Sequence, residues 1–360
     1  MDAILSNRGV LGRAMGVLAD KSMGQGCQVK NIPKPVISEQ QILVKVHAVA
    51  LNPVDFKSID ILAPRNSLIG CDYAGEVAEV GKSAPGTWKV GDRVAGFVHG
   101  GHSSDVGSFA KYLKVDGDLA WRIPDSMGFE EASTYGTPAV TAMLALHIHL
   151  ELPSLVSPGS PAPPANSGTV LIYAGSTSVG LFAIQLAKAA GYNVVTTASP
   201  RSFELVKKYG ADSVFDYHSA TAAADIAKAF PNITKAFDCI SEGQSTKFCD
   251  EVLKGNGGKV ITLGDRGKSK IAGVENKFIV VFTAFGKAFS WLPPVGPSFP
   301  ASTVDRQALV QFYSALPLHT EQVKPPPMKV VGSGLNNIIL GLDELRQGKV
   351  SGQKLVATLE

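Results

Sequence analysis

Apolar and polar positions change rhythm once along the chain, and the change divides it. "ILVKVHAVALN" (Ile42 to Asn52) alternates apolar and polar residues at the period of a strand. "DYAGEVAEVG" and "GDRVAGFV" read as further short strands, and glycines at 70, 75, 81, 91, 96, 100 and 101 suit the tight turns and barrel corners between them. From Thr169 the rhythm differs. "TVLIYAG" is a continuous apolar run, as expected of a strand covered on both faces. "SVGLFAIQLAKAAG" has helical spacing and stops at Gly191. "YNVVTTAS", "FELVKKYG", "SVFDY", "KAFDCIS" and "GKVITLG" continue the series. Strands alternating with helices indicate a parallel, doubly wound sheet and the α/β class. "SGQKLVATLE" reads as a strand that returns to the first domain.

Between the two rhythms lies "ELPSLVSPGSPAPPANSG" (151–168), rich in Pro, Ser and Gly and without hydrophobic period. It is expected to be an exposed loop at the domain junction. The expected division is therefore 1–150 with 318–360 as one domain, and 151–317 as the other.

Composition adds mainly exclusions. The chain has 360 residues, enough for two domains with full cores. Lys and Arg number 34 and Asp and Glu 31, a net charge of +3 that gives no reason to expect a nucleic-acid partner. No apolar run is as long as a membrane span; Ile279 to Gly286 stops at Lys287. Arg8 and Arg13 are expected in a plain disordered leader rather than a targeting signal. Cys27, Cys71, Cys239 and Cys249 are scattered with no Cys-x-x-Cys pair, which fits reduced thiols in a cytoplasmic protein.

The run "TVLIYAG" leads straight into a small-residue loop and a helix. Gly175, Ser176, Thr177, Ser178, Val179 and Gly180 place glycines at the turn and in the first helical turn. Amide groups at a helix start bind a pyrophosphate, and side chains there must stay small. Thr177 stands where the dinucleotide fingerprint has its middle glycine, so an ordinary strand-to-helix turn competes on this loop alone. The succession of strands behind it favours dinucleotide binding. The next strand ends in Ser199, Pro200, Arg201 and Ser202, with no carboxylate until Glu204. A carboxylate there would hold the ribose of NAD. Arg201 can instead pair with a 2′-phosphate, and Lys207 and Lys208 add positive field, so NADPH is expected. A solvated basic helix start is the alternative.

These residues resemble the medium-chain dehydrogenase/reductase superfamily. "ALNPVDFK", "GCDYAGEVAEVG", "VGDRVAGF", "GSFAKY", the glycine loop, "KKYGADSVFDY" and "SGQKLV" carry the resemblance over nearly the whole chain. It implies a GroES-like, partly open β-barrel domain joined to a Rossmann domain, with a cleft between them. Within the superfamily the chain is similar to the zinc-free quinone and enoyl reductases, and most to fungal ToxD-like and trans-acting enoyl reductases. The resemblance implies that Asn52, Pro53, Asp55 and Lys57 lie at the nicotinamide end of the cofactor. It places Ser176 to Val179 at the pyrophosphate, and Ser199, Arg201 and Tyr217 around the 2′-phosphate. Leu263, Gly264, Val350, Ser351 and Lys354 are expected to line the nicotinamide pocket. Thr141, Phe285 and Gly286 are expected at the substrate.

No metal is expected. The family's first zinc ligand has Asn52 in its place and its His has Cys71, while Tyr135 to Pro138 offer no third donor. His99 and His102 read as a solvent-facing loop, and His147 and His149 as residues at a helix end. Without a Lewis acid, reduction of an activated C=C bond is the natural chemistry. The substrate carbonyl makes the β-carbon electrophilic, and the protein must stabilise charge on the carbonyl oxygen. Lys57, Thr141 and Tyr73 are the candidates, with Tyr73 equally readable as a packed core aromatic. The expected activity is NADPH-dependent reduction of an enone, enal, enoyl compound or quinone. The alternatives are a reductase acting on a chain borne by the acyl carrier protein of a polyketide synthase, or a protein that holds NADPH without turnover. Ile279 to Phe285 could form an edge strand for dimerisation, but the prolines that follow favour a monomer.

Overall fold

The computed structural model describes residues 1–19, 24, 26–155, 167–294 and 296–359. It divides into two compact units. One comprises Met1–Thr137, Phe282–Pro317 and Pro327–Glu360, the other Pro138–Val281 and Leu318–Pro326. Most of the Pro/Ser-rich loop expected at the junction, 156–166, lies outside the described residues.

The first unit is built on a seven-stranded sheet centred on strand Gln41–Ala50. This strand is long enough to serve two partners on one edge. Gln41 to Lys45 pair with Tyr112–Asp116, and Ala48 to Ala50 pair with the returning strand Lys354–Thr358. Asp72–Val80 takes the other edge, and Arg93–Phe97 and Ala120–Arg122 follow. Ile42, Val44, Val46, Ala48 and Ala50 are buried, and so are Leu43 and Val49, leaving only Gln41, Lys45 and His47 of this strand partly open.

The N-terminus is not the disordered leader expected. Asp2–Ser6 is a strand paired antiparallel with Cys27–Asn31, and helix Val10–Ala19 follows it. Ala3, Ile4 and Leu5 are buried, so even a short apolar run suffices once a partner strand covers it.

The second unit holds a six-stranded sheet, every neighbouring pair parallel. Its order is Ser213–Asp216, Asn193–Ala198, Thr169–Tyr173, Lys235–Asp238, Gly258–Thr262, Val274–Phe278. In sequence terms this is 3-2-1-4-5-6, the doubly wound dinucleotide-binding order. The edge strand is Val274–Phe278, not Ile279 to Phe285; Val281–Phe285 is a 3₁₀ turn instead.

The units divide at 137/138 rather than 150/151, and at 317/318 the chain re-enters the second unit before returning to the first at 327. Phe282–Pro317 belongs to the barrel unit. Two contacts explain why. Arg306, on helix Thr303–Ala315, pairs with Asp118 in the turn after strand Tyr112–Asp116. Phe282, Phe285 and Phe289 pack their rings on His99.

Candidate functional site

In a parallel sheet the ligand-binding loops follow the carboxyl ends of the strands. The second unit places Gly175 to Gly180, Ser199, Arg201, Tyr217, Leu263 and Gly264 at that edge. Strand Thr169–Tyr173 ends in Ala174, whose left-handed φ of 62° turns the chain into the loop. Its amide is held by Thr197 Oγ1 at 2.9 Å. Helix Ser178–Ala189 then starts with Thr177 as its cap, the Oγ1 accepting from Gly180 N at 3.0 Å. The other first-turn amides have no acceptor within the helix and face outward from its positive end. The glycines are sterically required. A Cβ on Gly180 would lie 2.5 Å from Ala174 O and 2.7 Å from Gly175 Cα, and one on Gly175 would lie 2.1 Å from Thr196 Oγ1. The cradle therefore fits a pyrophosphate, with Thr177 supplying a cap that the missing glycine could not.

The adenosine end follows from strand register. Ala198 and Asp216 are paired, so Ser199 and Tyr217, the next residues of each, leave adjacent strands side by side. Arg201 is exposed in the 3₁₀ turn Pro200–Ser202, and Tyr217 is 41% exposed. The Asp216 carboxylate is turned to His218, accepting from its backbone N at 3.0 Å and lying 2.8 Å from its Nδ1. Two residues that the sequence reading passed over join this group: Tyr173, whose ring centroid lies 6.3 Å from that of Tyr217, and His218, at 4.0 Å from it. A strand-end position was their only signal.

A second missed group lies where strand Lys235–Asp238 ends. Asp238 is buried and accepts from Ser241 N and from the hydroxyls of Ser245 and Thr246, at 2.7–2.8 Å. Ser241 in turn accepts from Leu263 N at 2.7 Å, which ties the end of the next strand to this turn and fixes Leu263 and Gly264.

The barrel unit holds the remaining candidates except Thr141, which lies in the second unit. Helix Pro53–Lys57 is closed at its start by Asp55, whose Oδ2 accepts from Asn52 N at 2.8 Å while its own N donates to the Asn52 backbone carbonyl at 3.0 Å. Lys57 ends that helix and is exposed. The Asn52 carboxamide is wholly committed: its Nδ2 donates to Asp72 Oδ2 at 2.8 Å, and its Oδ1 accepts from Lys354 Nζ. Lys354, expected at the nicotinamide pocket, serves the Asn52 carboxamide here. It is buried beside Asp72, 3.6 Å away. Thr137 gives Asp72 two more donors, N and Oγ1, each at 2.6 Å. Burial pushes Asp72 up and Lys354 down, and their mutual attraction opposes both. Burial, then the Asp72 charge, pushes Asp55 up to about 7.

Thr141 is buried one turn along helix Thr137–Met143. Val350 is half-buried and Ser351 exposed, just before strand Lys354–Thr358. Tyr73 is fully buried in the barrel core. Its hydroxyl is 3.0 Å from where a Cβ on Gly96 would stand.

The residues in the family's zinc position do not fit the metal. Both ends of the Asn52 amide are occupied, burial holds the Cys71 thiol well above the usual range, and the Lys354 ammonium already supplies a cation. Among the described residues no group of three or more His, Cys, Asp and Glu is placed to hold a metal ion. His99 is also not solvent-facing as expected. It stacks on Phe282 at 3.9 Å and on His102 at 4.5 Å, and burial pushes it down to about 3.

Comparisons with known proteins agree with this architecture. Residues 38–125 match the alcohol dehydrogenase GroES-like domain family, and 178–285 match the zinc-binding dehydrogenase family. Trans-enoyl reductase TOXD of Cochliobolus carbonum is 42% identical over 259 residues, 71% of this chain and 85% of that protein. Trans-enoyl reductase caaB of Aspergillus niger is 37% identical over 348 residues, 92% of this chain and 94% of that protein. Among solved structures, Escherichia coli quinone oxidoreductase complexed with NADPH superposes with a TM-score of 0.72 at 16% identity, covering 99% of this chain and 100% of that one. The chain belongs to the medium-chain dehydrogenase/reductase superfamily, with a ToxD-like relationship inside it, and is an oxidoreductase.

Proposed function

We propose that the protein is an NADPH-dependent reductase of the C=C bond of an α,β-unsaturated thioester, acting in trans on a chain carried by an acyl carrier protein. The observation that carries the reading is its likeness, along 92% of its length, to a trans-enoyl reductase. The strand-end chemistry supports the choice of dinucleotide: Ser199 and Arg201 follow the strand after which an NAD site has a carboxylate, and Tyr217 leaves the neighbouring strand beside them.

A bound nicotinamide supplies the hydride that the β-carbon accepts. The chain's own residues bind and orient. The amides at the start of helix Ser178–Ala189 hold the pyrophosphate, and Arg201 pairs with the 2′-phosphate. Lys57, at the end of its short capped helix, donates to the thioester carbonyl oxygen as the enolate forms; Thr141 is the second candidate donor. Asn52, fixed by Asp72 and Lys354, anchors the start of the helix that carries Lys57. The α-carbon takes its proton from solvent.

The test is turnover with NADPH on a panel of enoyl thioesters, enones, enals and quinones. Thioesters are expected to give the highest kcat/KM. A preference for quinones, with thioesters left unreduced, would overturn the reading.

A further inference from the structure

Helix Thr303–Ala315 bears an arginine that does more than join two charges. Arg306 Nη2 donates to both oxygens of Asp118 at 2.7 and 2.9 Å. Its Nη1 lies 3.3 Å from Asp116 Oδ2 and donates to the backbone carbonyl of Phe285 at 3.2 Å. The planar guanidinium thus spends one nitrogen on Asp118 and the other on Asp116 and the Phe285 carbonyl, which fixes its direction as well as its distance. The next residue, Gly286, has φ of 68° and lies against the same side chain; a Cβ there would be 2.8 Å from Arg306 Cδ. Lys287 Nζ reaches Asp116 at 3.5 Å. Two barrel carboxylates thus hold two cations and, through Arg306, the backbone at Phe285.

Beyond that point the segment is aromatic. The Phe285 ring lies 4.6 Å from Phe97 and 5.9 Å from His99. Phe289, on the two-residue strand Phe289–Ser290, stacks on Phe299 at 4.8 Å, and Trp291 meets Phe299 edge-on at 4.9 Å. Phe97, Phe282 and Phe289 are buried, while Phe285, Trp291 and Phe299 stay half-buried. The wall is therefore apolar, anchored at its base and partly open at its rim. His99, half-buried among these rings, is pushed down to about 3 by burial and by His102, and adds no charge to the wall at neutral pH.

We infer that Arg306 is a positioning residue for substrate selection: by holding the Phe285 carbonyl it sets an aromatic wall that favours long apolar acyl chains over short ones. This inference rests on the reading of Phe285 and Gly286 as substrate-bordering in an enoyl thioester reductase. Chain-length preference is then a property of the clamp rather than of the hydride-transfer groups. A hydrophobic wall discriminates about 10–200-fold per methylene accommodated or excluded, so a displaced wall changes relative rates by tenfold or more.

The experiment compares R306M and R306K with the wild-type protein, using short (crotonyl) and long (decenoyl) N-acetylcysteamine thioesters. Wild type is expected to favour the long chain in kcat/KM. R306M is expected to lose about tenfold of that preference, mainly through KM for the long chain, with kcat for the short chain within about twofold. R306K, which keeps the charge but not the fork, is expected to restore part of it. Circular dichroism melting reports whether each variant folds. D118N, which keeps Arg306 and weakens only its anchor, serves if R306M does not fold, and is expected to lose the preference in the same direction. An unchanged long-to-short ratio in a folded R306M or D118N would overturn the clamp alone. A wild-type protein that reduces neither thioester would overturn the parent reading, and the selectivity claim with it.

Discussion

Replacing Lys354 by Met is expected to cost far more than the loss of a surface ion pair. The Lys354 ammonium and the Asp72 carboxylate are 3% and 0% exposed, at 3.6 Å from each other. Methionine fills nearly the same volume, so the substitution removes charge rather than packing. Asp72 would keep its bonds from Thr137 and from Asn52 but lose the buried ammonium beside it, and Asn52 Oδ1 would lose the Lys354 donor. Breaking a buried pair from one side costs about 3–5 kcal/mol, against about 0–1 kcal/mol for an exposed pair. Burial already pushes Asp72 up, and without Lys354 it would rise further. A carboxyl whose folded value is raised contributes stability at low pH that is lost as pH rises. The K354M deficit is therefore largest at neutral pH and smaller in acid. Urea unfolding followed by tryptophan fluorescence reads it directly, because Trp88, Trp121 and Trp291 all lie in the barrel unit. The double variant D72N/K354M is expected to recover most of the loss, since a neutral amide there needs no cation. K354M within about 0.5 kcal/mol of wild type at neutral pH would refute the reasoning.

Further outcomes follow from the same geometry. Asp55 titrates at about 7 against an ordinary 3.8, so its contribution is complete below about pH 4 and is lost as pH climbs to about 7, a change of about 4 kcal/mol. Urea midpoints are expected to fall with pH in wild type relative to D55N over that window; parallel curves would refute the assignment. The G180A Cβ meets backbone atoms at 2.5–2.8 Å, which cannot yield as a side chain can. Overpacking of about 1–3 kcal/mol is expected, with NADPH affinity by fluorescence titration weakened at least about tenfold. R201A is expected to raise KM for NADPH by about tenfold while leaving KM for NADH unchanged; equal changes for both would remove Arg201 from the 2′-phosphate.

Much of the second unit is legible because its signals are local. A buried parallel strand is a continuous apolar run, and the loop at Gly175 to Gly180 declares itself within a dozen residues. Strand order then follows from right-handed connections. The barrel unit is harder to read. Arg306 meets Asp118 across 188 positions and Lys354 meets Asn52 across 302, so neither partner marks the other in sequence. For that reason the sequence alone does not signal that Phe282–Pro317 packs with the barrel unit or that Lys354 lies beside Asp72. His99 looked solvent-facing in its glycine-rich surroundings, because the rings that cover it come from residues 282–289. The strand Asp2–Ser6 was missed because five residues carry too little pattern without their partner at Cys27–Asn31.

The central claim is hydride transfer to the C=C bond of a carrier-bound chain. The most direct measurement is mass spectrometry of an enoyl-loaded acyl carrier protein after incubation with the protein and NADPH. The account predicts a gain of two mass units on the acyl chain, faster with NADPH than with NADH. An unchanged acyl mass, while the same preparation oxidises NADPH with a quinone, would contradict it.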